Sequence, residues 1–191
     1  GGNDILSGSL GKDTLYGDNG NDVISGGYDD DILHGGDGAD KIYGSYGNSL
    51  EGGGLNDTLY GGDGDDLLDG ENGDDILQGD DGNDIFYGGK GADVFVLNSE
   101  GGATDTIMDF SLSENNEVIN LNAFDGMFSS FEDFSTNFRQ VGSNTHIDLG
   151  NAQPLVLSGI AANNLQENDF VINYVTSPPP EAVDDAFNGT E

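Results

Sequence analysis

The sequence predicts an all-β protein assembled from a short repeat, and three observations lead to this prediction. Glycine recurs every nine residues through the first half of the chain. An apolar residue follows two positions after the aspartate of each repeat. The charge is strongly acidic, because 37 Asp and Glu residues face four Lys and Arg and leave a formal net charge of −33. A unit with one apolar position buries it only by stacking on neighbouring copies, as in other repeat proteins.

Each repeat begins with a glycine and carries one inward apolar residue. The first-position glycines are Gly8, Gly17, Gly26, Gly35, Gly44, Gly52, Gly61, Gly70, Gly79 and Gly88, with one step of eight residues at 44–51. The apolar residues are Leu6, Leu15, Ile24, Leu33, Ile42, Leu50, Leu59, Leu68, Leu77, Phe86 and Phe95. The interval 44–51 lacks the aspartate, and we interpret it as a shortened repeat that still points Leu50 inward.

The charge of the chain indicates a bound cation. Self-repulsion at this charge density opposes compaction, and high charge with modest hydrophobicity is typical of disorder, yet the glycine spacing is too regular for a flexible tract. The chain has no cysteine, which excludes disulfides and cysteine-based metal sites. No apolar run approaches the roughly 20 residues of a membrane helix. No signal peptide is visible, and the chain starts inside a motif, so we expect a piece of a longer protein.

The sequence GGDGADKIY at 35–43 matches the nonapeptide G-G-x-G-x-D-x-U-x at every position. On this motif and its copies, the chain resembles the repeats-in-toxin family (RTX, haemolysin-type). The resemblance implies a right-handed parallel β-roll of nonapeptide repeats, in which two repeats make one turn. Each repeat would supply a loop from its first six residues and a short strand from its last three. It also implies calcium as the cofactor.

The residue chemistry agrees with calcium binding. Glycine permits positive φ angles and the close approach of carbonyl groups, and calcium takes six to eight oxygen ligands. The aspartate candidates are Asp4, Asp13, Asp22, Asp31, Asp40, Asp57, Asp66, Asp75, Asp84, Asp93 and Asp105. The glycine candidates, which would bind through carbonyl oxygens, are Gly17, Gly20, Gly35, Gly36, Gly38, Gly61, Gly62, Gly64, Gly79 and Gly82. A single copy could equally be a solvated turn, but the repeats in register favour calcium.

Loops 18 residues apart should stack along two edges of the roll. One edge would contain Asp4, Asp22, Asp40, Asp57, Asp75 and Asp93, and the other Asp13, Asp31, Asp66 and Asp84. Neighbouring pairs on these edges predict about seven calcium ions. Asp105, two residues before Ile107, repeats the motif after an enlarged loop and would add an eighth ion beside Asp84, although it could instead cap a turn. Asp30, Asp65 and Asp74, outside the key position, are interpreted as solvated surface residues.

We expect three regions in the chain. Residues 1–96 form the calcium-binding β-roll. Residues 97–175 form a C-terminal β capping segment, with strands at 105–110 and 117–121, antiparallel strands in FRQVG, NTHIDLG and PLVLSGI, and a short helix in FSSFEDFSTNF. This segment resembles the C-terminal flank of serralysin-type metalloproteases. Residues 176–191 contain a stiff proline-rich linker and resemble the start of a bacterial cadherin-like or immunoglobulin-like repeat.

The family resemblance implies a non-enzymatic module that folds on binding calcium outside the cell. It would support the secretion, folding and stability of a larger bacterial protein, secreted or at the cell surface, with the type I secretion machinery as its partner. Calcium sites of extracellular modules bind at about 10⁻⁴ to 10⁻³ M, which suits such a switch.

Two other functions stay open. The chain could be the accessory region of a secreted hydrolase, but H-E-x-x-H and G-x-S-x-G are absent, and His34 and His146 are interpreted as surface residues. It could also bind a glycan or cell surface as part of an adhesin, through outward tyrosines at the last position of four repeats: Tyr16, Tyr43, Tyr60 and Tyr87. Nucleic acid is not expected as a partner, because four basic residues cannot form a positive footprint.

Overall fold

The computed structural model describes residues 1–29, 31–45, 56–98, 103–112, 116–124, 127–150 and 154–172. The strands of the repeat region are β1 (Ile5–Leu10), β2 (Thr14–Asn19), β3 (Val23–Tyr28), β4 (Ile32–Asp37), β5 (Lys41–Ser45), β6 (Thr58–Asp63), β7 (Leu67–Asp69), β8 (Ile76–Asp81), β9 (Ile85–Tyr87) and β10 (Val94–Val96). The later strands are β11 (Asp105–Ile107), β12 (Val118–Asn120), β13 (Phe138–Val141), β14 (Asn144–Asp148), β15 (Pro154–Leu157) and β16 (Phe170–Val171). One short helix, α1, spans Phe131–Ser135. The prediction of an all-β fold is confirmed.

Successive strands alternate between two parallel sheets. The odd sheet contains β1, β3, β5, β7, β9 and β11, and the even sheet contains β2, β4, β6, β8, β10 and β12. Neighbouring strands within each series are parallel. Two strands and two loops therefore make one turn, as a parallel β-roll requires.

One column of apolar side chains fills the space between the sheets. Its members are fully buried: Ile24, Leu33, Ile42, Leu59, Leu68, Leu77, Phe86 and Phe95. Leu6 and Leu15 pack against the column and are partly buried. Ile107 and Ile119 continue it beyond the repeats, each at 0% exposure. The predicted inward position is thus confirmed wherever the structure describes it, and Leu50 lies outside the described residues.

The stacking of loops after Asp40 differs from the predicted one. Asp40 lies directly before β5 and Asp57 directly before β6. These two aspartates therefore precede consecutive strands, although they are 17 residues apart instead of nine. β6 pairs with β4, which places Leu59 opposite Leu33. β5 pairs with β7 in the same way, so the described strands on either side of residues 46–55 are direct neighbours in both sheets.

The predicted assignment of loops to edges is consequently wrong from Asp57 onward. Asp57, Asp75 and Asp93 share an edge with Asp13, while Asp66 and Asp84 share an edge with Asp4. The physical reason is that strand register follows the buried face and the ladder bonds, whereas counting glycines also counts an insertion as a repeat.

The C-terminal segment extends both sheets. β15 pairs in parallel with β11 and antiparallel with β14, and β14 pairs antiparallel with β13. β16 pairs in parallel with β12 on the even sheet. The predicted antiparallel strands and short helix are confirmed, while the parallel contacts were not predicted. The boundary drawn at residue 96 stays a prediction, and residues 173–191 lie outside the described part of the chain.

Aromatic side chains close the end of the roll at α1. Ser130 caps the helix by accepting the backbone N–H of Asp133 at 3.1 Å. Phe134 is fully buried and contacts the rings of Phe138 and Phe170 at centroid distances of 4.9 and 5.0 Å. This cluster shields the last apolar turn from water. No helix among the described residues is long and apolar enough to cross a membrane.

Candidate metal centre

The aspartate of each repeat lies at the end of a loop, directly before a strand. Eight of these aspartates are buried, each with an exposed fraction of 2% or less: Asp22, Asp31, Asp40, Asp57, Asp66, Asp75, Asp84 and Asp93. Buried carboxylates without partners are costly. Their regular burial along both edges therefore indicates a specific role.

One oxygen of each carboxylate ties its loop to the loop of the preceding turn. On the odd edge, where loops lead into the odd sheet, Oδ1 accepts the backbone N–H of the previous aspartate at 2.6–3.1 Å, along the series Asp4, Asp22, Asp40, Asp66, Asp84 and Asp105. On the even edge the same bonds measure 2.8–3.0 Å along Asp13, Asp31, Asp57, Asp75 and Asp93. These aspartate hydrogen bonds form a ladder along each edge. The ladder also joins the repeats on either side of residues 46–55, because the backbone N–H of Asp31 donates to Asp57 Oδ1 and that of Asp40 donates to Asp66 Oδ1.

The second oxygen, Oδ2, is buried and has no hydrogen-bond partner. This holds at Asp13, Asp22, Asp40, Asp66, Asp75, Asp84 and Asp93. An unpaired buried carboxylate oxygen carries the full cost of its lost hydration. A cation at this position would remove that cost.

A carbonyl oxygen of the next turn lies close to the unpaired Oδ2 of five of these aspartates: Asp13, Asp22, Asp40, Asp66 and Asp75. A Cβ added at Gly35 would overlap both Asp40 Oδ2 and the Gly61 carbonyl oxygen. The same juxtaposition occurs at Gly17, where Asp22 Oδ2 meets the carbonyl of Gly35, and at Gly61, where Asp66 Oδ2 meets that of Gly79. Two oxygen acceptors thus converge on a space kept open by a missing side chain.

The second- and fourth-position residues bring further carbonyls toward the next turn. The carbonyl oxygens of Gly20, Gly36, Gly38 and Gly64 each lie against the glycine one turn later. Gly36 and Gly38 have φ of 110° and 137°, which favours glycine. The structure therefore brings the predicted carbonyls of Gly20, Gly35, Gly36, Gly38, Gly61, Gly64 and Gly79 to the turn-to-turn contacts. That these carbonyls, or those of Gly17, Gly62 and Gly82, bind an ion stays a prediction.

Burial perturbs the acidity of the ladder carboxyls. It raises the pKa of Asp75 and of Asp84 to about 8 and that of Asp66 to about 7, with added repulsion from neighbouring aspartates. Burial also raises the pKa of Asp93 and of Asp105 to about 6. These carboxyls resist ionisation in the folded protein unless a positive charge joins them.

The donor set fits calcium. The described residues contain no cluster of three or more carboxylate, imidazole or thiolate groups. Each space instead has carboxylate and carbonyl oxygens from stacked loops, which are hard ligands of the kind that calcium prefers. Soft transition metals favour sulfur or imidazole, and neither is present in the loops.

Asp105 takes the next place on the odd edge. Its Oδ1 accepts the N–H of Asp84, and its strand pairs with β9. The predicted stacking on Asp84 is confirmed, while an ion at this pair stays a prediction. Glu117 holds the equivalent place on the even edge, because Ile119 lies opposite Phe95. The repeat motif does not predict Glu117, since a glutamate replaces its aspartate there.

A second ladder runs beside the first and corrects one prediction. Asp65 Oδ1 accepts the backbone N–H of Asn83 at 2.9 Å, and Asp74 Oδ1 accepts that of Ala92 at 2.8 Å. The interpretation of Asp65 and Asp74 as merely solvated is therefore wrong, because both bind the next turn. The hydrogen bonds from Asn83 keep the pKa of Asp65 below its usual range. Asp30 lies outside the described residues.

The outward tyrosines do not form one surface. Tyr16 and Tyr60 lie on the even sheet and stack on either side of His34, at centroid distances of 4.6 and 4.9 Å. Tyr43 and Tyr87 lie on the odd sheet, with Asp69 in register between them. His146 lies on β14, far along the chain from this stack.

A parallel two-sheet roll with stacked carboxylates and unpaired loop oxygens is a repeat protein built to bind a hard cation. The model of the RTX calcium-binding nonapeptide repeat family matches residues 1–27, 25–48, 44–77, 51–85 and 69–99, which together cover more than half of the chain. The chain therefore belongs to the RTX calcium-binding repeat family.

A search of curated proteins found no match. Among solved structures, the chain is similar to the extracellular lipase LipA from Serratia marcescens, at 18% sequence identity and a TM-score of 0.49. The similarity covers 89% of this chain and 38% of the lipase chain. The chain thus spans well under half the length of that lipase.

Proposed function

We propose that this chain is a calcium-triggered folding module of a larger secreted protein. In low calcium the carboxylates of the loops repel each other and the chain stays expanded. In high calcium the ions join successive loops and the roll forms. An expanded chain suits export through a type I secretion channel, and folding then follows outside the cell.

The observation that carries the proposal is the pairing of aspartates along the two edges. Among the described residues, five hydrogen-bonded pairs on the odd edge and four on the even edge give nine pairs. One ion at each pair corresponds to about nine calcium ions, with ligands from the two aspartates and the neighbouring carbonyls. The ion supplies the positive charge that the unpaired Oδ2 atoms lack.

The experiment is limited proteolysis of the chain across a calcium titration, with circular dichroism in parallel. Protection and β structure should appear between about 10⁻⁴ and 10⁻³ M calcium and be absent at about 10⁻⁶ M. The variant Asp75→Asn should need more calcium, because Asp75 belongs to two pairs. Glu132→Gln, which removes the same charge from α1, should behave as the parent chain. Full protection in chelator would contradict the proposal.

We also propose that the module itself is non-enzymatic and that any catalytic region belongs elsewhere in the parent protein. The sequence contains neither H-E-x-x-H nor G-x-S-x-G. The aspartates of the described repeats form hydrogen bonds between successive turns. Esterase, protease and glycosidase assays of the calcium-loaded chain test this. Turnover that is lost in His146→Ala would contradict it.

A further inference from the structure

A groove of about 570 Å³ lies on the antiparallel part of the cap, apart from the calcium loops. Its walls come from the residues before and within β13 and from β14 and β15: Thr136, Asn137, Phe138, Arg139, His146, Asp148 and Pro154. Volumes of several hundred Å³ are typical of small-molecule sites. The groove therefore has room for a ligand the size of one or two sugar rings.

The strand register gathers the polar side chains on one face of the cap. Arg139 pairs with His146, and Asp148 pairs with Pro154. The alternating residues of β14, Thr145 and Ile147, are fully buried on the opposite face. Arg139, His146 and Asp148 therefore point to the same outer side.

Arg139 is unusual in this setting. It is one of four basic residues in a chain of net charge −33, yet it is exposed and makes no ion pair within the described residues. Asp148 lines the same groove, but its Oδ1 accepts the backbone N–H of Gly150 at 2.9 Å. The guanidinium thus keeps its planar set of donors available to a ligand.

We propose that this groove binds a sugar that carries a carboxylate, such as a uronic acid unit. Arginine binds carboxylates through two parallel hydrogen bonds. The Thr136 hydroxyl and the Asn137 amide nitrogen donate to backbone carbonyls, so Thr136 Oγ1, Asn137 Oδ1 and Asp148 Oδ2 serve as acceptors for ring hydroxyls. Pro154 offers an apolar surface for the sugar ring. The rest of the chain repels polyanions, so the site suits an acidic unit among neutral sugars. This inference is independent of the calcium-triggered folding proposed above.

The test is calorimetric titration of the calcium-loaded chain with methyl glucuronide, methyl glucoside and acetate. The glucuronide should bind at least about tenfold more tightly than either of the others, because only it satisfies both halves of the site. Arg139→Gln should weaken glucuronide binding by about tenfold or more. Lys41→Gln, which removes the same charge from the outer face of β5, should leave binding unchanged.

Three results would overturn the inference. These are no glucuronide binding at about 10 mM, equal binding of the glucoside or of acetate, and equal loss in Lys41→Gln and Arg139→Gln. Circular dichroism in calcium checks that Arg139→Gln folds. Should it not fold, Arg139→Lys keeps the charge but removes the planar fork, and unweakened binding in that variant would overturn the inference too. Loss of calcium-dependent folding would count against the proposed function instead.

Discussion

At the scale of single residues, the two oxygens of each loop aspartate have different roles. In Asp40, Oδ1 accepts the N–H of Asp22, while Oδ2 faces the carbonyl of Gly61 without a donor. The sequence predicts which aspartates matter, because they recur at one position of the motif. It could not predict the roles of the two oxygens, because these depend on a loop that lies one turn away.

The first-position glycine should be required for calcium binding. In Gly35→Ala, the added Cβ would overlap Asp40 Oδ2 and the Gly61 carbonyl, so we expect a cost of about 1–3 kcal/mol. The control is Gly11→Ala, whose Cβ meets open space and whose cost, about 1 kcal/mol, comes from its φ of 97°. Thermal melts in saturating calcium measure both. A smaller loss at Gly35 than at Gly11 would contradict the described packing.

Glu71 offers the opposite test, because replacing it with glycine should raise the stability of the protein. Glu71 holds a second-position place with φ of 72°, and its charge raises the pKa of Asp69, though less than burial does. We expect Glu71→Gly to stabilise the calcium-loaded chain by about 1 kcal/mol. Glu132→Gly in α1 should destabilise it by about the same amount. Chemical unfolding of both variants measures this, and a destabilised Glu71→Gly would be inconsistent with the loop conformation.

At the scale of elements, the register of the strands is the main difference between prediction and structure. Glycine spacing predicts the loops correctly up to Asp40 but fails between Asp40 and Asp57, where an insertion has the spacing of a repeat. Pairing of Leu59 with Leu33 decides the register instead. The parallel pairing of β11 with β15 could not be predicted from the sequence either, because no local sequence signal identifies a partner strand about 50 residues away.

A double-mutant cycle should report this register. Asp31 and Asp57 are neighbours on the even edge, where the backbone N–H of Asp31 donates to Asp57 Oδ1 at 2.8 Å. Since the proposed function places one calcium ion between their carboxylates, replacing both with asparagine should give a coupling of about 0.5–3 kcal/mol. Asp40 and Asp57 belong to opposite edges and should act additively within about 0.5 kcal/mol. Calcium midpoints of the single and double variants supply the values. Strong coupling of Asp40 with Asp57 would support the register predicted from glycine spacing instead.

At the scale of the whole molecule, the acidic residues that give the chain its charge also line the two edges of the roll. Net charge predicts repulsion from the sequence alone. The concentration of negative charge at the two edges of the roll follows only from the stacking of the loops, because stacking brings together aspartates from separate repeats. The cap adds aromatic burial at one end, but it does not relieve the repulsion between loops.

Protons should partly replace calcium. In the calcium-free folded state, burial raises the pKa of Asp75 and Asp84 from 3.8 to about 8. The folded state then holds more protons than the unfolded state between these values, so its stability falls as pH rises from about 4 through 8. Calcium-stripped protein should therefore show more β structure by circular dichroism at pH 5 than at pH 9. Greater order at pH 9 would contradict the buried ladder.

The most direct test of calcium-dependent folding is small-angle scattering at pH 8 with millimolar calcium, with millimolar magnesium and with chelator. We predict a radius of gyration of about 16–20 Å in calcium, and values approaching about 45 Å in chelator. Magnesium should leave the chain expanded, because it requires strict octahedral geometry and gives up water reluctantly. The same compact radius in chelator as in calcium would contradict the claim that calcium ions hold the stacked loops together.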